Sequence, residues 1–156
     1  MPPTHEQLVE QLVQTVEVRL LDPLEILLEG DAAVDEVRRK IRQKAQVWAR
    51  QMLDGDDQTA VAAIVRVTAT LYPGDGPFDP PLDWWRTPMG QVVAWRVGHP
   101  TAESVSYPVA GAMLGITRQC VHDLVSRGKL VRHPGGGVVP ASIRDRLRRE
   151  EQARHG

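Results

Sequence analysis

The chain has 156 residues, 42% hydrophobic and 25% charged, with a net charge of −1 and a single cysteine, Cys120. That suffices for one ordinary domain or two small ones, and it excludes a disulfide framework and a cysteine-based zinc site. No apolar run approaches the ~20 residues that cross a bilayer, and the N-terminus lacks the basic-then-apolar layout of a secretion signal. The expectation is a cytoplasmic protein that makes no membrane contact.

The near-zero net charge conceals an asymmetry. Residues 1–80 hold 8 Lys and Arg against 14 Asp and Glu, whereas residues 81–156 hold 11 against 6. An acidic half joined to a basic half suggests two units, the second suited to a polyanion.

Residues 1–72 read as a helical bundle. From Glu6 to Leu20, Leu8, Val9, Leu12, Val13, Val16 and Leu20 recur at steps of three and four, which predicts an amphipathic helix. Asp22-Pro23 is expected to restart a helix, with Asp22 as its cap, and Gly30 to end it. Asp31 is the expected cap of a longer helix whose apolar face runs Val34, Val37, Ile41, Ala45, Trp48 and Met52, up to Gly55. Its basic run, Arg38 to Lys44, reads as a solvated face. Asp57 is expected to cap another helix through Ala60, Val61, Ile64, Val67, Thr68 and Leu71. A bundle of ~70 residues has a marginal core, so a homodimer formed through these N-terminal helices is the expected assembly.

Residues 73–87 form the expected linker, since five prolines and two glycines between Pro73 and Pro88 oppose both helix and central strand. Trp84, Trp85 and Trp95 cluster near it and read as anchors for the following module, although aromatics can also stack on bases. Thr87 and Pro88 are expected to open a helix through Val97.

Residues 88–156 form the expected second domain. Pro108 is expected to begin a helix through Leu114, Gly115 to supply the turn, and Thr117 to cap a second helix ending at Gly128. On that helix Val121, Leu124 and Val125 face inward and Arg118, Gln119, His122 and Ser126 outward. Arg pairs with guanine, Gln with adenine, and His or Ser reaches bases or phosphates. Beyond it, Leu130-Val131-Arg132 and Val138-Val139 are expected as the strands of a β-hairpin with Pro134 to Gly137 at its tip. Arg127, Lys129, Arg132 and His133 are the candidate phosphate contacts. A last helix from Pro140 carries Arg144, Arg146, Arg148 and Arg149, either touching phosphates or lying solvated. Cys120 reads as a partly buried filler.

The string Tyr107 to Leu130, with Leu114-Gly-Ile-Thr-Arg-Gln119 and Gly128-Lys-Leu130, followed by Gly137-Val-Val-Pro-Ala-Ser142, resembles the excisionase/MerR-like winged helix-turn-helix family. The resemblance covers less than a third of the chain. It implies a C-terminal winged helix-turn-helix bearing a small β-hairpin, which with the N-terminal helical bundle read from the apolar spacing makes the expected fold mainly α. It further implies duplex DNA as partner, and Thr117, Arg118, Gln119, His122, Ser126, Arg127, Lys129, Arg132 and His133 as the DNA-binding set. Two positions depart from the family: Pro108 stands where a Ser or Thr cap is usual, and Gly111 where Glu is common, both expected to weaken that helix.

No phosphate loop, dinucleotide fingerprint or catalytic grouping is present, and the five histidines show no metal-ligand spacing. Neither an enzyme, a metal site nor a cofactor is expected. Transcriptional regulation in a bacterial nucleoid is the leading expectation; an excisionase-like DNA-bending factor and a protein-interaction adaptor remain open.

Overall fold

Short polar side chains decide where most of the helices begin, because the first amides of a helix have no intrahelical acceptor. In the computed structural model, which describes residues 2–155, the chain is mainly helical and divides into two compact units, Thr4–Pro73 and the part from Gly74 onward.

In the first unit, Thr4 caps helix α1 (His5–Val16) in a reciprocal box: its hydroxyl accepts from the Gln7 amide while the Gln7 side chain accepts from the Thr4 amide. Leu8, Leu12 and Val16 are buried at steps of four. The next buried residue is Leu21, a step of five. The winding opens into one π-helical stretch, Glu17–Leu21, whose end is marked by the Asp22 amide donating to the Glu17 carbonyl.

This corrects the expected stripe, which ended on Leu20. Leu20 is 45% exposed and Leu21 4%. It also corrects the cap at Asp22, which has helical backbone angles and lies within continuous winding into α2 (Asp22–Leu27). The physical reason is Pro23, which has no amide to offer the Arg19 carbonyl four residues back. A wider turn just before it accommodates that lost bond and rotates all later side chains by about one residue, ~100°.

Helix α2 buries no side chain. Its tie to the bundle is polar. Arg38 reaches Glu25 Oε2 at 2.7 Å and Asp22 Oδ1 at 3.2 Å, with Glu17 at 3.9 Å. The Asp22 hydrogen bond raises the Arg38 pKa against an opposing desolvation effect, and the charges of Glu25, Asp22 and Glu17 add to the rise. Part of the basic run read as solvated is therefore a clamp, and Arg42 adds to it at 3.5 Å from Glu17.

Asp31 caps α3 (Ala32–Asp54) through the Ala33 amide at 2.8 Å. Its buried face is Val34, Ala45, Ala49 and Met52; Val37, expected inside, is 38% exposed. Helix α4 (Asp57–Leu71) is capped by Asp56, one residue before the expected Asp57, through the Thr59 amide. Asp56 is the residue with extended angles, and only that geometry turns a carboxylate back onto the N3 amide. Ala60, Ala63, Ile64, Val67 and Leu71 complete this core, each large aliphatic side chain contributing about 1.5–3 kcal/mol on burial.

In the second unit a 3₁₀ turn, Leu82–Arg86, falls inside the segment expected as linker, and it buries Trp84 and Trp85. Trp85 is 1% exposed, with its ring 5.0 Å from Trp84 and 5.5 Å from His99. Phe78 meets the Trp84 ring edge-on at 5.2 Å. These aromatics form a plug around which the short helices gather, which removes Trp84 and Trp85 from any base-stacking role. Thr87 caps α5 (Pro88–Arg96). The chain then continues to α6 (Tyr107–Leu114), α7 (Arg118–Ser126) and α8 (Pro140–His155), with Ile143 and Leu147 buried on α8 as the spacing of four implies.

The expected β-hairpin is corrected. No strand forms among the described residues; there are two isolated antiparallel bridges, Arg132 to Val138 and Val105 to Val138. Pro134 and Pro140 lack amides, and the three glycines between them favour turn geometry, so too few residues remain for a ladder.

Candidate nucleic-acid interface

Helix α6 starts at Tyr107, one residue earlier than expected, because Ser106 is the cap and accepts from the Val109 amide. The missing cap at Pro108 is thus supplied two residues upstream, with Pro108 in the first turn where a lost amide costs little. Gly111 is buried, and a Cβ there would lie 2.8 Å from the Ile116 carbonyl oxygen. The expected weak point of the helix is instead the place where the next turn packs against its backbone, with the Ile116 amide donating to the Gly111 carbonyl at 2.9 Å.

Gly115 closes α6 in the left-handed region at φ 71°, and Thr117 caps α7 through the Cys120 amide at 3.1 Å. Val121 is fully buried, and Leu124 and Val125 are half-buried. These three fix the rotation of α7. On its other side Arg118, Gln119, His122 and Ser126 are exposed, with Arg118, His122 and Ser126 on a four-residue row. Tyr107 meets the His122 ring edge-on at 4.3 Å, which orients that imidazole from the start of α6.

Cys120 is exposed and not a partly buried filler. With Asp123, Leu124 and Arg127 it lines a shallow groove bounded by Arg146 and Glu150 of α8. The two flanks of α7 therefore differ: basic and amide side chains without carboxylates on one, and a mixed set on the flank toward α8, where Asp123 and Glu150 lie among Arg127 and Arg146.

Gly128 follows α7 at φ 71°, and Lys129 donates its amide to the Leu124 carbonyl at 2.8 Å. The loop after Arg132 is organised by its own polar groups. His133 Nδ1 accepts from the Gly135 amide at 3.0 Å, its backbone amide donates to the Gly137 carbonyl, and its carbonyl accepts from Gly136. Gly136 and Gly137 have φ of 104° and 82°, which side chains disfavour. The Ser104 hydroxyl donates to the Gly136 carbonyl, and Val105 and Val138 exchange amide hydrogen bonds at 3.0 and 2.8 Å. Ser142 fastens the base of the loop, accepting from the Val131 amide and donating to the Val139 carbonyl.

Of the residues singled out from the sequence, Thr117, Arg118, Gln119, His122 and Ser126 thus share α7 or its cap. Arg127 and Lys129 lie in the turn after it, and Arg132 and His133 at the loop. Thr117 spends its hydroxyl on the cap, and the Nδ1 of the half-buried His133 holds the loop, leaving Nε2 as its other ring nitrogen. Arg118, Arg127, Lys129 and Arg132 are exposed and form no salt bridge among the described residues.

The α8 arginines differ. Arg148 donates from Nε and Nη2 to the Trp95 and Arg96 carbonyls at 3.1 and 2.8 Å, a cation at the C-terminus of α5. Arg144 and Arg146 pair with Asp145 and Glu150. Ser104, Tyr107 and Ser142 escaped the sequence reading because their roles depend on partners 32, 15 and 11 residues away. Comparison with protein-family models, with curated proteins and with solved structures returns no match to this chain.

Proposed function

We propose that the unit containing α6 and α7 binds duplex DNA as a compact winged helix-turn-helix, with α7 as the helix that enters the major groove. What carries the reading is the exposed row on α7, Arg118, Gln119 and His122, on a helix whose opposite face is pinned by Val121. Arg and Gln offer the bidentate donor and acceptor patterns that read guanine and adenine edges. Arg132 and the Nε2 of His133 contact phosphates from the glycine loop, which serves as a wing reduced to two bridges. Arg127 and Lys129 add phosphate contacts beside it. Transcriptional regulation is the use we assign, by a homodimer paired through the N-terminal helices, so that the target has two half-sites spaced by the protein's symmetry.

The experiment is selection of bound duplexes from a random library, followed by titration at two salt concentrations. Selected DNA should bind tightly at ~50 mM salt and far more weakly at ~200 mM, since released counterions dominate the affinity. Arg118→Ala should lose about 1–3 kcal/mol and relax the preference at one base position, whereas Arg132→Ala should weaken specific and random DNA alike and shallow the salt slope by about one. No salt-sensitive binding at micromolar protein would overturn the proposal.

A further inference from the structure

Six aliphatic side chains between positions 18 and 28 reach solvent. Ile26 is 77% and Leu27 78% exposed; Val18, Leu20, Leu24 and Leu28 lie between 38% and 59%. The π-helical stretch and Pro23 cause this. Had α1 continued without the extra residue, Leu20 would have taken the place on the inner stripe that Leu21 holds. Instead the stripe passes to Leu21, and α2 presents its aliphatic residues outward while burying none.

Surface of this kind, concentrated in one short segment, is unfavourable for a chain that stays alone. Its area identifies the occupant. The exposed fractions amount to roughly three whole aliphatic side chains, on the order of 500 Å² when the accompanying backbone is included. A stable interface takes ~800 Å² from each partner, of which somewhat more than half is apolar. One copy of this segment therefore supplies about the apolar share of one side of an ordinary dimer. Charge is compatible with self-association as well, because Asp22 and Glu25, the acids on α2, are each already paired with Arg38 of their own chain. Two copies brought together do not oppose uncompensated carboxylates at those positions.

We infer that the α2 segment is the homodimer interface: Ile26 and Leu27 at the centre and Val18, Leu20, Leu24 and Leu28 around them meet the same face of a second copy. This rests on the paired-module reading above and names the surface that performs the pairing. Arg38 becomes a positioning residue for it, since it holds the polar side of α2 against α3.

The test is sedimentation equilibrium of the full chain without DNA, for the wild type and for Ile26→Gln/Leu27→Gln, which retains helix-forming side chains. The wild type should be dimeric at micromolar concentration, and the double variant should dissociate at least ~100-fold more readily with an unchanged far-ultraviolet circular dichroism spectrum. Ile26→Asp/Leu27→Asp should be monomeric throughout. A wild type that stays monomeric at ~100 μM, or double variants that stay dimeric, would overturn the inference. So would binding of the monomer to anionic lipid vesicles through this face. Because no DNA is present, failure here is separable from failure of DNA binding: a monomer that still shifts selected duplexes overturns the interface alone, and a dimer that binds none overturns the DNA reading alone.

Discussion

The two units solve the same small-core problem in different ways. Thr4–Pro73 uses helices of twelve, twenty-three and fifteen residues in α1, α3 and α4, with aliphatic and alanine stripes spread over about two to five turns. The part from Gly74 onward has one helix of sixteen residues, α8, and otherwise helices of nine, eight and nine residues in α5, α6 and α7, too short for propensity to sustain alone. It compensates with a buried aromatic plug, a polar cap at the start of each of these short helices, and side chain to backbone hydrogen bonds that define its loops. The first strategy leaves one segment, α2, without apolar cover inside the chain. The second closes its core and leaves charged and amide groups at the surface. Stripe-built helices have room for an unsatisfied face, whereas a unit organised around Trp85 has little apolar surface to spare.

The largest expected effect breaks the plug. Trp85→Ala should destabilise the protein by about 3–5 kcal/mol, read by urea denaturation, because it empties the space shared with Trp84 and His99. Leu27→Ala, which removes an equally apolar but 78% exposed group, should change the stability of dilute protein by less than ~0.5 kcal/mol. Similar losses in the two variants would erase the contrast between a filled centre and an uncovered face.

A smaller effect sharpens the dependence of the short helices on caps. Thr117→Ala removes the acceptor for the Cys120 amide and should cost about 1 kcal/mol, with Thr117→Ser recovering most of it. Equal melting temperatures for all three proteins would show that α7 is held by packing and not by its cap.

The smallest effect is a pH response. Burial pushes the His99 imidazole below its usual pKa, with Asp79 pulling weakly the other way. Its Nδ1 accepts from the Thr101 and Ala102 amides at 3.1 and 2.9 Å, and both bonds are lost if that nitrogen is protonated. The unfolded chain therefore takes up the proton first. Stability from this group is complete above about pH 6.5 and declines as the pH falls through the lower folded value. His99→Asn should flatten the melting temperature between pH 7 and 5; an unchanged slope would place the response elsewhere.

Much of the architecture was legible because its causes are local. Asp31, Thr87 and Thr117 are short polar caps immediately ahead of amphipathic or apolar segments, Gly115 and Gly128 are turn residues, and Ile143 and Leu147, four apart, mark the inner face of α8. The candidate interface was legible in the same sense, since the inward Val121 and the outward Arg118, Gln119 and His122 follow from helical spacing. Other features depended on geometry that a residue list does not contain. Asp56 rather than Asp57 caps α4 because of a backbone angle, and Gly111 matters because a carbonyl from the next turn rests on it.

The sequence by itself determined that helices dominate, where most of them start and stop, and which side chains α7 turns outward, because capping and the 3.6-residue period act within a few residues. The tertiary structure alone decided what packing and long-range hydrogen bonds control. It buried Leu21 in place of Leu20 and left Ile26 and Leu27 without cover inside the chain. It drew Trp84 and Trp85 into a core, reduced a hairpin to two bridges, and committed Arg38 and Arg148 to clamps within the chain.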